Sequence, residues 1–168
     1  KVVKQHCRGE ACLLRYADDF VCAFEDQADA ERFYSVLGQR LGKFGLELSG
    51  AKTRIIPSSR HRQAGKTSFE FLGFEFRWGK DRKGKEHLKR RTARKKLRSA
   101  LKRFTAWCKE NRHYRVPELF KRLNAKLRGY YNYYGVHGNA ASLQEFFNKA
   151  IRILLKLLNR RSQRHSYT

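Results

Sequence analysis

Apolar and polar positions fall in blocks whose period changes along the chain. Residues 11–24, ACLLRYADDFVCAF, form two apolar runs around Ala17-Asp18-Asp19, and residues 20–24 are continuously apolar. So short a polar break predicts a β-hairpin with the acidic pair at its tip. The second run suits a strand covered on both faces. From Asp26 to Phe44 the step becomes three and four: Ala30, Phe33, Leu37, Leu41 and Phe44 mark an amphipathic helix, and Gly45 suits its C-terminal cap. Leu46, Leu48 and residues 53–56 predict short strands about a Ser49-Gly50 turn, and residues 57–68 a polar loop.

Residues 69–78, FEFLGFEFRW, alternate with a change of phase. Phe69 and Phe71 hold odd positions, whereas Phe74, Phe76 and Trp78 hold even ones. A slip of one residue turns a whole face over, so a bulge or tight turn is expected at Gly73. Residues 79–87 read as a charged turn. Three helices follow. The first has Thr92 as its cap and Leu97, Leu101, Phe104 and Cys108 as its stripe. Pro117 fits the first turn of the second, with Phe120, Leu123, Leu127, Tyr130 and Tyr134 as the apolar face. Ser142 to Glu145 has the pattern of a capping box opening the third. Its Phe146, Phe147, Ile151, Leu154, Leu155 and Leu158 cover most of the circumference, which predicts the buried centre of a small bundle. The fold class expected is therefore α+β, and no internal repeat is visible.

Charge divides this pattern unevenly. The 168 residues carry a net +24, with 39 Lys+Arg against 15 Asp+Glu. Residues 1–79 hold 13 basic and 10 acidic side chains, and residues 80–168 hold 26 and 5. A net +21 on the second part exceeds what solubility asks, and it points to a polyanion, nucleic acid first. No run reaches the roughly 18 apolar residues of a membrane span, so no membrane partner is expected. Cys7, Cys12, Cys22 and Cys108 lack zinc-ligand spacing and suit reduced cysteines of an intracellular protein. The chain has no Met and begins at Lys1, which suggests a piece of something longer or a processed product.

Asp18 and Asp19 are the acids to question. Adjacent carboxylates repel one another unless water or a metal neutralises them. Mg²⁺ takes a few carboxylates plus waters and substrate phosphates, and two such ions roughly 4 Å apart clamp an in-line phosphoryl transfer. Neighbouring strand residues face opposite ways, so the two acids need not be equal ligands. An exposed Asp-Asp turn is the alternative reading of the pair alone.

The neighbouring motifs add a resemblance. Tyr16-Ala17-Asp18-Asp19 between apolar strands, then a helix, GLELSGAKT and FEFLGFEF, resembles the palm of reverse transcriptases in order and spacing. More narrowly, residues 15–20, RYADDF, are similar to the hairpin of bacterial group II intron-encoded proteins. The resemblance implies that Asp18 is a metal ligand, Asp19 a second and weaker one, and that Tyr16 lies near the primer end. It places Lys52 on the palm lysine that neutralises or protonates leaving pyrophosphate; a solvated lysine is the alternative. Phe71, Leu72, Gly73 and Phe74 align with the hairpin that grips the primer, where Gly73 would let backbone approach a phosphate. The phenylalanine rings themselves suit core.

Residues 127–135, LRGYYNYYG, resemble the signature of the group II intron maturase region, domain X, with Tyr130 where a Trp often stands. Helices of this kind set basic residues against RNA phosphates. That assigns RNA contacts to Arg94, Arg98, Lys102, Arg103, Lys121, Arg122, Lys126 and Arg128, and to Tyr131, Asn132 and Tyr133. Tyr130 and Tyr134 lie on the apolar stripe and suit core. The implied organisation is part of a palm (1–86) followed by a basic three-helix thumb and maturase domain (87–168).

The implied parent is an RNA-directed DNA polymerase of a bacterial, cytoplasmic ribonucleoprotein. It would use two Mg²⁺ ions, dNTPs, an RNA template with a DNA primer, and group II intron RNA. A palm site needs a further carboxylate on an earlier strand. Only Glu10 precedes Ala11 among acids, and the fingers are missing, so residues 1–168 alone are not expected to polymerise. The alternatives are a maturase-type RNA binder without polymerisation and a retron-type polymerase.

Overall fold

The computed structural model describes residues 5–58, 67–81 and 83–161. The elements are β1 (Ala11–Tyr16), β2 (Asp19–Phe24), α1 (Gln27–Gly42), β3 (Ser68–Phe71), β4 (Phe74–Lys80), β5 (Glu86–Thr92), α2 (Arg94–Asn111), α3 (Val116–Tyr134) and α4 (Ala140–Leu158), with a 3₁₀ turn at Asn159–Arg161. The architecture is α+β. β1 and β2 form a two-stranded antiparallel sheet, and a second sheet runs in the order β3-β4-β5. The chain divides into two compact units, Lys1–Leu72 with Arg77–His87, and Gly73–Phe76 with Leu88–Thr168.

In the first unit the hairpin pairs Ala11 with Phe24 through to Tyr16 with Asp19. The Glu25 N–H extends it by donating to the Glu10 carbonyl at 2.9 Å. Residues 20–24 are half-buried rather than covered on both faces, and Ala23 is exposed. The Phe24 ring meets Phe33 of α1 at 5.3 Å. Asp26 caps α1 by accepting the Ala28 N–H at 2.8 Å. The helix ends through Gly45 at φ +67°, where the Leu46 and Gly45 N–H groups return to the Leu41 and Gly42 carbonyls at 3.1 Å each. That is a Schellman closure, and Gly accepts its left-handed conformation without a Cβ penalty. Ala30, Phe33, Leu37 and Leu41 are half-buried, as the stripe predicts, while Phe44 lies past the helix and is exposed.

Residues 46–49 and 53–58 form no strand. The Lys52 and Thr53 N–H groups both donate to the Ser49 carbonyl at 2.9 Å, so a local turn takes the donors that a ladder would need. Most of the predicted loop, residues 59–66, lies outside the described residues.

Asp29 anchors the segment that enters β1. Its side chain is only 3% exposed. One oxygen accepts the Arg8 and Gly9 N–H groups at 2.7 and 3.3 Å, and the Arg32 guanidinium lies 3.3 Å from the other. A buried carboxylate is tolerated only when paired and hydrogen-bonded in this way.

The second unit is built on α2, α3 and α4. Its core joins Leu97, Ala100, Phe104 and Cys108 to Leu119 and Leu123, and to Phe146, Ala150, Leu154, Leu157 and Leu158. Two predicted stripes hold in part, and Leu123, Leu127, Tyr130 and Tyr134 of α3 do face the core or its edge. On α3 the buried row starts at Leu119, and Phe120 is exposed. On α4 one face alone is buried; Phe147 and Ile151 are exposed and Leu155 is half-buried. Pro117 does occupy the first turn of α3.

The two predicted caps also change. Ala93, not Thr92, precedes α2, and Thr92 ends β5 with its amide and hydroxyl bonded to Asn139. Ser142 lies inside α4 behind Asn139, and its hydroxyl accepts the Thr92 N–H at 3.3 Å. β5 replaces the end of the charged turn and takes in Thr92, the predicted cap. Leu88 is its one large apolar residue, so no alternation was visible. Arg91 on β5 forks onto Glu75 of β4 at 2.8 and 3.0 Å.

Replacing Asp29 with Ala is expected to remove roughly 1.5–3 kcal/mol from the first unit, the worth of hydrogen bonds to a charged group. Urea unfolding followed at Trp78 in a Trp107→Phe background measures it. Burial pushes the Cys108 and Cys22 thiols up to about 11. Thiolate is the reactive form, so at neutral pH a maleimide should modify exposed Cys12 first and reach Cys108 only on unfolding. Peptide mapping after timed labelling reads the order.

Candidate active-site hairpin and nucleic-acid interface

The register fixes the tip of the first hairpin. Tyr16 opposes Asp19, leaving Ala17 and Asp18 as a two-residue connection. Among these two, only Ala17 has positive φ, +50°, the pattern of a type II′ turn. Asp18 therefore sits on the turn and Asp19 opens β2. Directly opposed residues share a face, so Asp19 and Tyr16 point to the same side of the sheet. All three side chains are exposed.

A cation accompanies the pair. The Arg15 Nε donates to the Ala17 carbonyl at 2.8 Å, bringing the guanidinium to the turn. The sequence signal for it was an Arg three residues before Asp18. Two exposed carboxylates are hard oxygen donors and fit part of a Mg²⁺ shell whose remainder is water and phosphate. Among the described residues no group of three or more His, Cys, Asp or Glu gathers to complete one. Lys52 lies on the Ser49 turn, exposed, and its ammonium makes no ion pair among the described residues.

Leu72 and Gly73 connect β3 to β4 with φ of +50° and +78°. Two positive values define a type I′ hairpin turn, which accounts for the phase change between Phe71 and Phe74. Gly suits this geometry; Leu in a left-handed conformation carries a cost of roughly 1–2 kcal/mol. In the second unit the Gly73 carbonyl accepts the Ala93 N–H at 2.9 Å. Phe74 stacks on Tyr133 at 6.2 Å and meets Tyr134 edge-on at 5.4 Å.

The aromatic run of α3 is divided by its helical phase. Tyr130 stacks on Phe146 at 3.8 Å, and its hydroxyl is pushed up to about 12, first by burial. Tyr131 is half-buried with its ring edge-on to Phe146 at 6.5 Å, so it joins the core more than the sequence implied. Asn132 is exposed, and Tyr133 is exposed while packed on Phe74.

Arg94, Arg98 and Lys102 follow one another at four-residue steps on α2, a stripe with about 6 Å of rise per step. These three, with Arg103, Lys121 and Arg128, are exposed and make no ion pair among the described residues. Arg122 and Lys126 differ. Arg122 bonds Glu118 at 2.7 Å with its guanidinium 4.0 Å from the centre of the Tyr114 ring, and Lys126 lies 5.5 Å from that of Trp107. The hydrogen bond from Arg122 holds the Glu118 carboxyl below its ordinary range. Sequence reasoning missed Arg15 and the buried Asn139, whose side chain ties Thr92 to the Tyr134 carbonyl.

Gly73→Ala should cost about 1–2 kcal/mol for the left-handed backbone alone. A Cβ there would also lie 3.1 Å from the Tyr134 hydroxyl. Adding Tyr134→Phe is expected to recover the steric part and leave the backbone part, as read by urea unfolding at Trp107 in a Trp78→Phe background.

Comparison with curated proteins and with solved structures returns no match. Among the described residues no helix is long and apolar enough to cross a membrane. Residues 1–76 match the model of the family described as reverse transcriptase (RNA-dependent DNA polymerase). The match takes in the Asp18-Asp19 hairpin, α1 and the turn at Leu72-Gly73, and it supports a reverse-transcriptase segment in that part of the chain.

Proposed function

We propose that the chain is part of a group II intron reverse transcriptase/maturase, with a palm segment in residues 1–86 and a thumb and maturase domain in residues 87–168. The observation that carries the reading is the exposed Asp18-Asp19 pair on a two-residue hairpin turn, within the residues that match reverse transcriptases. Asp18 and Asp19 would hold Mg²⁺ together with a further carboxylate of the polymerase. When bound, Mg²⁺ supplies charge neutralisation for the pair and for the phosphates in an in-line displacement.

The chain's own residues then have separate tasks. Tyr16, on the face of Asp19, borders the primer end. Lys52 meets the leaving pyrophosphate, and residues 71–74 hold the primer strand. Arg94, Arg98, Lys102, Arg103, Lys121 and Arg128 present charge to RNA phosphates, with Arg122 and Lys126 held over rings beside them. Intron RNA, an RNA template with its DNA primer, and dNTPs are the partners, in a bacterial cytoplasmic ribonucleoprotein. In the maturase role the protein stabilises folded RNA, and the RNA performs the splicing.

If 6–10 phosphates are contacted, intron RNA affinity should fall about 10³–10⁵-fold between roughly 50 and 200 mM salt, by counterion release. Filter binding across a salt series measures this, and a flat response would contradict the electrostatic interface. In a polymerase whose Asp pair these residues supply, Asp18→Ala should abolish primer extension and leave RNA binding intact. Extension at the unaltered rate would overturn the catalytic assignment. RNA binding with no extension by either protein would favour a maturase-type binder.

A further inference from the structure

We infer that Asn139 is a positioning residue for Gly73 and Phe74, and through them for the contact with the primer; this rests on the reading above. Asn139 directly precedes α4, where an Asn side chain ordinarily accepts an N–H of its own helix. Here it makes no such bond. The residue is 1% exposed, and its carboxamide is turned to other elements. Its oxygen accepts the Thr92 N–H at 2.8 Å, and its nitrogen donates to the Thr92 hydroxyl and the Tyr134 carbonyl, each at 2.9 Å. An amide that gives its own helix no side-chain cap and instead ties a strand 47 residues away to the end of the preceding helix is acting on those segments.

Both segments lead to Gly73. The Ala93 N–H, one residue beyond Thr92, donates to the Gly73 carbonyl at 2.9 Å. The Tyr134 hydroxyl lies so close to Gly73 that a Cβ there would sit 3.1 Å away, and the Tyr134 ring meets Phe74 at 5.4 Å. Asn139, Thr92, Ala93, Gly73 and Tyr134 thus close a ring of contacts within the second unit. Asn139 joins the two arms at the end of the ring opposite Gly73, so its amide sets the placement of the Gly73 backbone.

The test compares Asn139→Ala, Thr92→Val and Thr92→Ser in the full chain. Amide exchange at Ala93 should accelerate about tenfold or more in the first two, on the scale of one buried hydrogen bond, and stay near the parent value in Thr92→Ser. The Phe104, Leu123 and Leu154 amides should keep their protection. Affinity for an RNA template annealed to a DNA primer with a recessed 3′ end should fall by a similar factor. Affinity for single-stranded RNA of equal length should hold. Unchanged Ala93 exchange in both variants overturns the inference, and so does acceleration spread evenly over the bundle. Faster Ala93 exchange with unaltered primer affinity upholds the positioning of Gly73 and overturns the primer-contact reading instead.

Discussion

The Phe146 ring, 3% exposed, lies face to face with Tyr130 at 3.8 Å and edge-on to Phe104 at 6.1 Å. Through those two contacts one side chain of α4 holds α2 and α3. The constraint behind this is electrostatic. Residues 80–168 carry 26 basic and 5 acidic side chains, and like charges at that density oppose compaction. The opposing term is apolar burial, about 1.5–3 kcal/mol for each fully buried large side chain, with about 0.5–1.5 kcal/mol more for each well-placed aromatic pair. Helical phase allows both, because the basic residues of α2 stand away from Leu97, Ala100, Phe104 and Cys108.

Much of this was legible where one short-range rule decides the outcome. The acidic pair sits at a hairpin tip because its flanking runs have no other way to pair. Asp26 and Gly45 bound α1 through local bonds that the sequence states directly. The change of phase at Gly73 could only be a turn or bulge. What was hidden depends on tertiary partners. Thr92 and Ser142 have cap chemistry, yet Asn139 and Thr92 claim them across 47 and 50 residues of sequence. β5 was invisible because cations occupy it, and its support from Glu75 lies on another strand. Only the first position of the α3 stripe was misplaced, because Leu119 and Phe120 are both apolar and only packing selects between them.

The candidate site shows the same division. The hairpin pattern alone brought Asp18, Asp19 and Tyr16 to the tip, but the two-residue connection that puts Asp19 in β2 opposite Tyr16 was not legible in the three-residue break. Arg15 could not be placed, because its role depends on a side chain curling back onto the Ala17 carbonyl. Among the cations, net charge cannot separate Arg98 from Arg122. Geometry does: Arg122 is held by Glu118 and the Tyr114 ring, so it gives up less freedom when a phosphate or base docks.

The exposed face of α4 has a consequence for the protein in solution. Leu143 is half-buried, and Phe147 and Ile151 are open to solvent at 40% and 39%, on a surface otherwise dominated by cations. At low ionic strength mutual repulsion keeps such faces apart. At about 0.15 M salt the screening length falls to about 8 Å, and that repulsion no longer reaches between molecules. Colloidal stability therefore declines as salt rises, and the exposed Phe147 and Ile151 are the side chains through which two copies would first touch.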